Sequence, residues 1–553
     1  MRQALKVILY IIVLPLCMLI DPKGLESSAE TAPAAVLEKP ETPASGTDEG
    51  PVTKEDFSLE KVEALAEELA RAAYVRPAQP PKFLSEISEA QWNAVTFRAD
   101  RRLWKNEGLP FEVEFFHPGF IFDQTVAMNI VDGSTVEPLA FDADHFFNPD
   151  WELSEKVKRA QDKKGLGFAG FRLLFPLNDT ERKNEYVSFL GATHFRALPR
   201  HSGYGLTARG LILNPAMPEG EEFPYFRRFW LVKPKADDKA ITVYALMDSP
   251  SLTGAYRFII TPGPTTVMEV SARLFARNGG PWPKKIGLAP TDTMYLFSEK
   301  ENGQSNDWRP EAHSSDVLLW KSGEKNWNRR PLNNPKRLDI TSYDLPNPMG
   351  FGLMQQDASF DHYQDLKARF DLRPSLWVEP QGDWGAGRLE LIEIPSSQEI
   401  HDNILTFWVP DNPVERNLSY DYNLYWMPAG ATPHQMGKAV STRLSQAQNG
   451  EGLVRFIIDF EGGQLNDIPA EAGLASVVEV GPEASVVEKS LIKNTVTGGW
   501  RLEFKVRPPE EGMMQSLMNA RGERKGLRLK AFLKKGENLP ESLTECWTYD
   551  WPY

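Results

Sequence analysis

The run Ile241-Thr242-Val243-Tyr244-Ala245-Leu246, followed by Ala255-Tyr256-Arg257-Phe258-Ile259-Ile260, decides how the chain is read. Both segments are rich in β-branched and aromatic residues that alternate with a period of two. Pro262-Gly263-Pro264 then breaks the pattern, so the pair reads as strands closed by a turn. The same texture begins upstream at Phe111-Glu112-Val113-Glu114-Phe115, with Pro118-Gly119 as its break. Short strands at close intervals with few helical windows predict an all-β chain, layered as an antiparallel sandwich.

Toward the C-terminus the texture changes after Asp402. Leu418–Trp426, Val454–Phe460, Leu502–Val506 and Leu527–Leu533 are clear strand candidates. They predict a separate immunoglobulin-like sandwich over 401–553, after a large β domain over 57–400. Toward the N-terminus, Phe57–Ala73 predicts an amphipathic helix that closes one end of the sheet domain. Val62, Leu65, Ala66 and Leu69 form its apolar side, and Glu60, Glu63, Glu67 and Glu68 its polar one. Residues 28–56 are Ala, Pro, Glu, Thr, Gly and Ser with almost no large apolar side chain, the composition of a disordered tether. The start, Met1-Arg2-Gln3-Ala4-Leu5-Lys6 and an apolar run from Val7 to Ile20, reads over 1–27 as a signal peptide, being shorter than a membrane span prefers. An uncleaved anchor is the alternative, and it is the one route by which this chain would touch a membrane.

A length of 553 residues exceeds one ordinary core and predicts two domains. The net charge of −14 excludes a phosphate-binding surface for nucleic acid and disfavours anionic lipid, while a neutral glycan suits it. Only Cys17 and Cys546 occur, so removal of the leader leaves a lone thiol. The eight histidines are scattered without metal-ligand spacing, which predicts no metal and no cofactor.

Chemistry-bearing residues concentrate between Trp308 and Pro410. Trp308-Arg309-Pro310-Glu311-Ala312-His313-Ser314-Ser315-Asp316 is followed by Trp377-Val378-Glu379, Asp383-Trp384-Gly385 and Glu399-Ile400-His401-Asp402. Carboxylates, an imidazole and flat indoles together suit a sugar, whose hydroxyl edges take hydrogen bonds and whose C–H faces take aromatic surface. Each residue also has a plain structural reading. Trp377 and Trp384 are aromatics of a kind that fill sandwich cores, His313 could be a hydrogen-bonded structural histidine, and Asp402 could be a linker carboxylate.

Several collinear motifs resemble the osmoregulated periplasmic glucan biosynthesis proteins of the G and D type. They include Phe115-Phe116-His117-Pro118-Gly119-Phe120, Gly167-Phe168-Ala169-Gly170-Phe171-Arg172 and Tyr204-Gly205-Leu206-Thr207-Ala208-Arg209. Further matches are Arg309-Pro310-Glu311, Gly350-Phe351-Gly352-Leu353, Trp377-Val378-Glu379-Pro380 and Asp402-Asn403-Ile404. The resemblance implies a periplasmic protein needed to make β-1,2-linked glucans, with a mutarotase-like sandwich ahead of the immunoglobulin-like one. β-Glucan is the implied ligand, and an inner-membrane glucan synthase a possible partner.

Some members resemble inverting endo-hydrolases of β-1,2-glucan that use no metal. Their general acid falls here on Asp402, with the motif's glutamate on Glu399. Their partner carboxylate falls on Ser314, since this chain reads His313-Ser314-Ser315-Asp316. A hydroxyl has no basicity near neutral pH, and losing one acid–base partner costs about 10² to 10⁴ in rate. Hydrolysis is therefore expected to be feeble unless Asp316 or Glu311 substitutes. Glu311, His313, Ser314, Tyr363, Trp377, Glu379 and Trp384 are the expected substrate contacts. His194, Thr291-Asp292 and Gln355-Gln356-Asp357-Ala358 also depart from the family pattern. Three readings follow: an altered hydrolase or transglycosylase, a non-catalytic glucan-binding factor, and an interaction scaffold with a vestigial cleft.

Overall fold

The computed structural model of the chain describes residues 56–161, 165–301, 306–411, 417–446, 452–509, 527–536 and 541–551. The expected signal peptide or anchor, and all of the expected tether except Asp56, lie outside them. The described residues form an all-β protein with a few short helices.

Two large sheets face each other. The ten-stranded sheet runs, in spatial order, through Glu112–Phe116, Gly170–Phe175, Asn184–Leu190, His194–Ala197 and Thr207–Arg209. It continues through Ile286–Thr293, Ile404–Pro410, Gly387–Glu393 and Asp339–Leu345, with Leu211–Leu213 paired to Ile286–Thr293 off that path. The fourteen-stranded sheet contains the two strands that opened the sequence reading, Ile241–Asp248 and Leu252–Thr261, paired antiparallel. Alternation sends Val113, Phe115, Phe171, Leu173 and Phe195 into the shared core. There Phe171 meets Phe229 at 5.0 Å, and Phe189 and Phe195 meet Phe258 at 5.1 and 5.3 Å. The same alternation turns Glu112, Glu114, Arg172, Ser188, Arg196 and Thr207 to the opposite face.

The N-terminal helix spans Leu59–Arg71. It packs Leu59, Val62, Ala66 and Ala70 against Trp230, Tyr244 and Leu246, and so covers the outer face of the fourteen-stranded sheet rather than one end of the sandwich. Arg277 Nη1 donates to the carbonyls of Leu69 and Ala72 at 2.6 Å each. A cation thus sits at the negative end of the helix dipole, adding to the Ala72 N–H that the Leu69 carbonyl already accepts at 3.3 Å and supplying a donor to the Ala72 carbonyl.

The domain boundary differs from the expected one. Ile404–Pro410 lies between two strands of the first body, and Asn417–Met427 pairs with both Thr266–Ala276 and Ser375–Gln381. Trp408, Tyr420, Tyr422 and Trp426 accordingly sit in its core. The first body therefore runs through Met427; strand 417–427 alternates like an autonomous edge, and its partners are distant in sequence.

Beyond it, a four-stranded sheet of 438–446, 454–461, 500–507 and 485–493 packs Phe456, Phe504 and Val506 against Leu529, Leu533 and Trp547. These three belong to a second layer of strands, 475–479, 527–534 and 546–551. That layer continues the fourteen-stranded sheet through a parallel pairing of Arg329 with Trp547. Buried polar contacts hold the seam: Glu545 takes Arg329 at 2.6 Å and His434 at 2.7 Å, and Arg330, itself paired with Glu393 at 2.7 Å, reaches Asp550 at 3.2 Å. Cys546 lies half-buried at the seam.

Candidate functional site

Arg373 is the centre of the site. It is 2% exposed, its guanidinium carbon lies 4.1 Å over the Phe370 ring, and its Nη1 donates to Ser314 Oγ. Nε and Nη2 both reach the Ala368 carbonyl at 3.3 Å. Burial pushes its pKa down to about 10, against the charges of Glu399, Asp402 and Asp365, none within ion-pair distance among the described residues. Gly205 lies against the stem of Arg373: a Cβ there would meet Arg373 Cβ at 2.7 Å. Gly203 N–H donates to the Leu372 carbonyl at 2.9 Å, tying the two loops together.

Asp402 follows the Gly387–Glu393 strand and precedes Ile404–Pro410, at the edge of the polar sheet face. Its Oδ2 accepts from Thr207 Oγ1 at 3.4 Å. Burial raises its pKa, and the charges of Arg196, Arg209 and Arg373 oppose the rise. Arg196 donates through Nε to Thr207 Oγ1 at 3.0 Å. Onward from Arg196 the face carries Tyr204, whose hydroxyl donates to Glu185 at 2.7 Å. Arg172 then bridges Glu185 at 2.8 Å and Glu114. These groups form a row of donors and acceptors across several strands, in which Arg172, Glu185, Arg196, Tyr204 and Asp402 are half-buried and Glu114 and Thr207 buried.

Glu399 accepts from Arg309 Nη2 at 2.6 Å. The same guanidinium binds Asp307 through Nε and Nη2 at 2.9 and 2.7 Å, and Asp365 at 3.1 Å. Asp365 thus joins two loops. Arg369 and Gln364 in this loop adopt φ of 41° and 56°, left-handed values that side chains other than glycine rarely take.

Behind Ser314 lies a closed polar network. His313 is buried between Tyr295, with ring centres 5.7 Å apart, and Tyr363, at 5.2 Å. Its Nε2 meets Glu311 Oε2 and its Nδ1 meets Gln355 Oε1, each at 2.9 Å. Gln355 Nε2 points at three oxygens, those of Tyr363, Phe370 and the His313 carbonyl, so its Oε1 is the acceptor. Both ring nitrogens of His313 therefore face acceptors, and a proton is shared with Glu311. Burial works against charge on the imidazole, but Glu311 and Asp316 outweigh it and the pKa is raised. Burial likewise raises Glu311. Tyr363 donates to the Asp357 carbonyl at 2.9 Å and is fully buried, so it supports this network and does not meet solvent.

The structure thus brings Ser314, Glu399 and Asp402 together around Arg373, and places Glu311, His313 and Tyr363 one layer behind. Asp316 does not join Asp402. It accepts from Gln356 N–H at 2.9 Å, and its charged neighbours are His313, Arg329 and Asp357, a set disjoint from that of Asp402. Trp377, expected as a stacking platform, is 3% exposed and packs on Trp327 with ring centres 5.2 Å apart; it is core. Glu379 lies on the other sheet and accepts from Tyr425 at 2.7 Å. Trp384 is half-buried, donates to the Asp421 carbonyl at 3.3 Å and meets Tyr420 and Tyr422 edge-on. It closes the core rim.

Sequence reading missed Arg196, Thr207 and Arg373 as site residues. The available signal was polar residues at every second position, His194-x-Arg196 and Thr207-x-Arg209, inside strands that are otherwise apolar. His194 and Asp292, flagged as separate departures, are neighbours 3.9 Å apart. Arg209 binds both Asp292 and, at 2.9 Å, Glu221. Burial pushes Asp292 up to about 6 and Glu221 up to about 7, against the pull of Arg209.

Glu311, Asp357 and His362 each offer a ligand atom within 4.8 Å of the others. Glu311 is already bonded to His313, and Asp357 to His362, so the trio is hydrogen-bonded as it stands.

A family model described as periplasmic glucan biosynthesis protein, MdoG, matches residues 57–551. The proteins called Glucans biosynthesis protein G in Pseudomonas paraeruginosa and in Pseudomonas aeruginosa are each 38% identical to this chain over 511 residues, covering 90% of it and 93% of theirs. Among solved structures, the GH36 α-galactosidase AgaA of Geobacillus stearothermophilus aligns over 40% of this chain and 30% of its own, at 10% identity and a TM-score of 0.21. That similarity is too low to inform fold or site.

Proposed function

Because this chain belongs to the periplasmic glucan biosynthesis protein family, we propose that it acts in the periplasm in glucan biosynthesis by binding the glucan backbone along the polar face of the ten-stranded sheet. The observation that carries the reading is the row from Arg172 through Tyr204, Arg196 and Thr207 to Asp402. Donors and acceptors spaced along a sheet face match the hydroxyls of successive sugars, and their mutual hydrogen bonds hold them in place before a ligand arrives.

Binding without cleavage fits the site better than hydrolysis does. An inverting hydrolase needs a carboxylate opposite its acid, about 6.5 to 9.5 Å away. The position that would supply it is Ser314, whose hydroxyl is taken up by Arg373. A hydrolytic reading has one observation in its favour: burial raises the pKa of Asp402, as suits a general acid. The role calls for nascent polymer as ligand and an inner-membrane glucan synthase as its source.

Calorimetry with linear β-1,2-glucan tests the reading. Wild type is expected to bind, and Arg196→Ala to bind at least tenfold more weakly. Absence of binding by the wild type would overturn it. New reducing ends that vanish in Asp402→Asn would establish the hydrolytic alternative.

A further inference from the structure

We infer that Trp308 forms an outer stacking subsite of the groove, beyond Glu399, and takes the C–H face of a neutral glucosyl ring; this rests on the glucan reading above. Trp308 is 70% exposed, although it adjoins some of the most tightly held polar groups in the site. The next residue, Arg309, is bonded at once by Asp307, Asp365 and Glu399, and its guanidinium carbon lies 5.8 Å from the Trp308 ring centre. The indole therefore stands beside the Arg309 ion pairs, where Glu399 is also bound.

A second apolar side chain stands beside the same ion-pair knot. Leu366 is 81% exposed at the tip of the turn 365–368. Asp365 shapes that turn by accepting from Lys367 and Ala368 N–H at 2.9 Å each, and it also binds Arg309. Two loops thus each present a large apolar group to water, cross-linked through one arginine.

The surrounding charge selects the ligand. Asp307, Asp365 and Glu399 all bond Arg309, and the charge of Arg373 also acts on Glu399 and Asp365, so the rim offers acceptors whose charge is already countered. A neutral sugar is favoured, because its hydroxyls donate to the carboxylates and its C–H face covers the indole. Trp151, equally exposed at 70% on the helix Trp151–Ala160, is the internal comparison; the ion pairs of that helix are exposed ones, of Lys158 with Asp144 and Glu155.

The test is a series of linear β-1,2-glucan oligomers of increasing length, titrated by calorimetry and tryptophan emission. The proteins are wild type, Trp308→Ala, Trp308→Phe and Trp151→Ala. For long oligomers, Trp308→Ala is expected to bind about tenfold more weakly, Trp308→Phe to recover most of that loss, and Trp151→Ala to match wild type. Short oligomers that do not reach the rim should bind wild type and Trp308→Ala equally. The blue shift in emission on saturation should shrink without Trp308.

Equal affinity of wild type and Trp308→Ala at every length overturns this inference and leaves the glucan reading standing. A uniform loss at every length places Trp308 at the centre of the groove and overturns the outer assignment. Absence of binding by wild type ends both.

Discussion

Replacing Ser314 by Asp tests the electrostatics of the site most directly. Arg373 is a buried guanidinium with no carboxylate in ion-pair range among the described residues, and burial takes its pKa down to about 10. Relative to an exposed arginine, the charged form has lost about 3 kcal/mol. A carboxylate at 314 would grow toward Nη1, where Ser314 Oγ already sits, and a charge-assisted hydrogen bond there contributes about 1.5–3 kcal/mol. Desolvating the new carboxylate offsets part of this, so the expected net gain for Ser314→Asp is about 1–2 kcal/mol.

The sharper quantity is the coupling between positions 314 and 373. In the native background, Arg373→Leu leaves only a hydroxyl and a carbonyl short of a donor, and should cost no more than about 1–3 kcal/mol. In the Ser314→Asp background it strands a buried carboxylate and should cost about 3–5 kcal/mol. Denaturant melts of the four proteins in a double-mutant cycle read that difference. Additivity within about 0.5 kcal/mol, or destabilisation of Ser314→Asp by more than about 2 kcal/mol, refutes the reasoning. The same variant should gain β-1,2-glucan cleavage of about 10² to 10⁴-fold. If coupling appears and cleavage does not, the pairing stands and Asp402 is not an acid.

Stability should also depend on pH through Asp292 and Glu221. With folded values of about 6 and about 7, above the unfolded values of about 4, the folded chain holds protons that the unfolded chain has released. Their contribution is therefore fully present below about pH 4 and is lost as pH rises through about 6 and then about 7. Asp292→Asn should flatten the lower part of that slope and Glu221→Gln the upper, in denaturant melts from pH 4.5 to 8; unchanged slopes would refute the assignment.

At the seam, Arg329 and His434 overcome burial and hold Glu545 down at about 2. Glu545→Gln should cost about 3–5 kcal/mol by leaving Arg329 unpaired. Calorimetry should then show the C-terminal sandwich melting ahead of the first body, and a single unshifted transition would count against the seam. Gly205→Ala should lower both melting temperature and glucan affinity, since the new methyl meets the stem of Arg373; an unchanged affinity would remove Gly205 from the site.

The architecture was legible where one strand's own pattern decides it. Ile241–Asp248 and Leu252–Thr261 read as strands from their own β-branched and aromatic residues, although both of their faces are buried, one in the shared core and the other under the N-terminal helix. The boundary after residue 400 was not legible, because the alternation of Asn417–Met427 suits any sheet and only its pairing with Thr266–Ala276 assigns it to the first body. The site divides the same way. Asp402, Glu399 and Ser314 were expected from the motif resemblance and lie near Arg373, while Trp377 was expected at a sugar and lies in the core, because an indole in a strand carries the same letter in either place.

What joins these cases is that the polar face is a property of pairing. Arg172, Ser188, Arg196 and Thr207 come from four strands and share one face only because each is in register with the next. A one-residue slip in any of them would turn its polar side chain into the core and its apolar neighbour into the groove. The packing of Phe171, Phe189 and Phe195 therefore sets the register that aligns the donors, so a core substitution such as Phe189→Ala should disturb glucan binding as well as stability. Loss of stability, about 3–5 kcal/mol, with unchanged glucan affinity in the folded fraction would show that the polar row holds its own alignment.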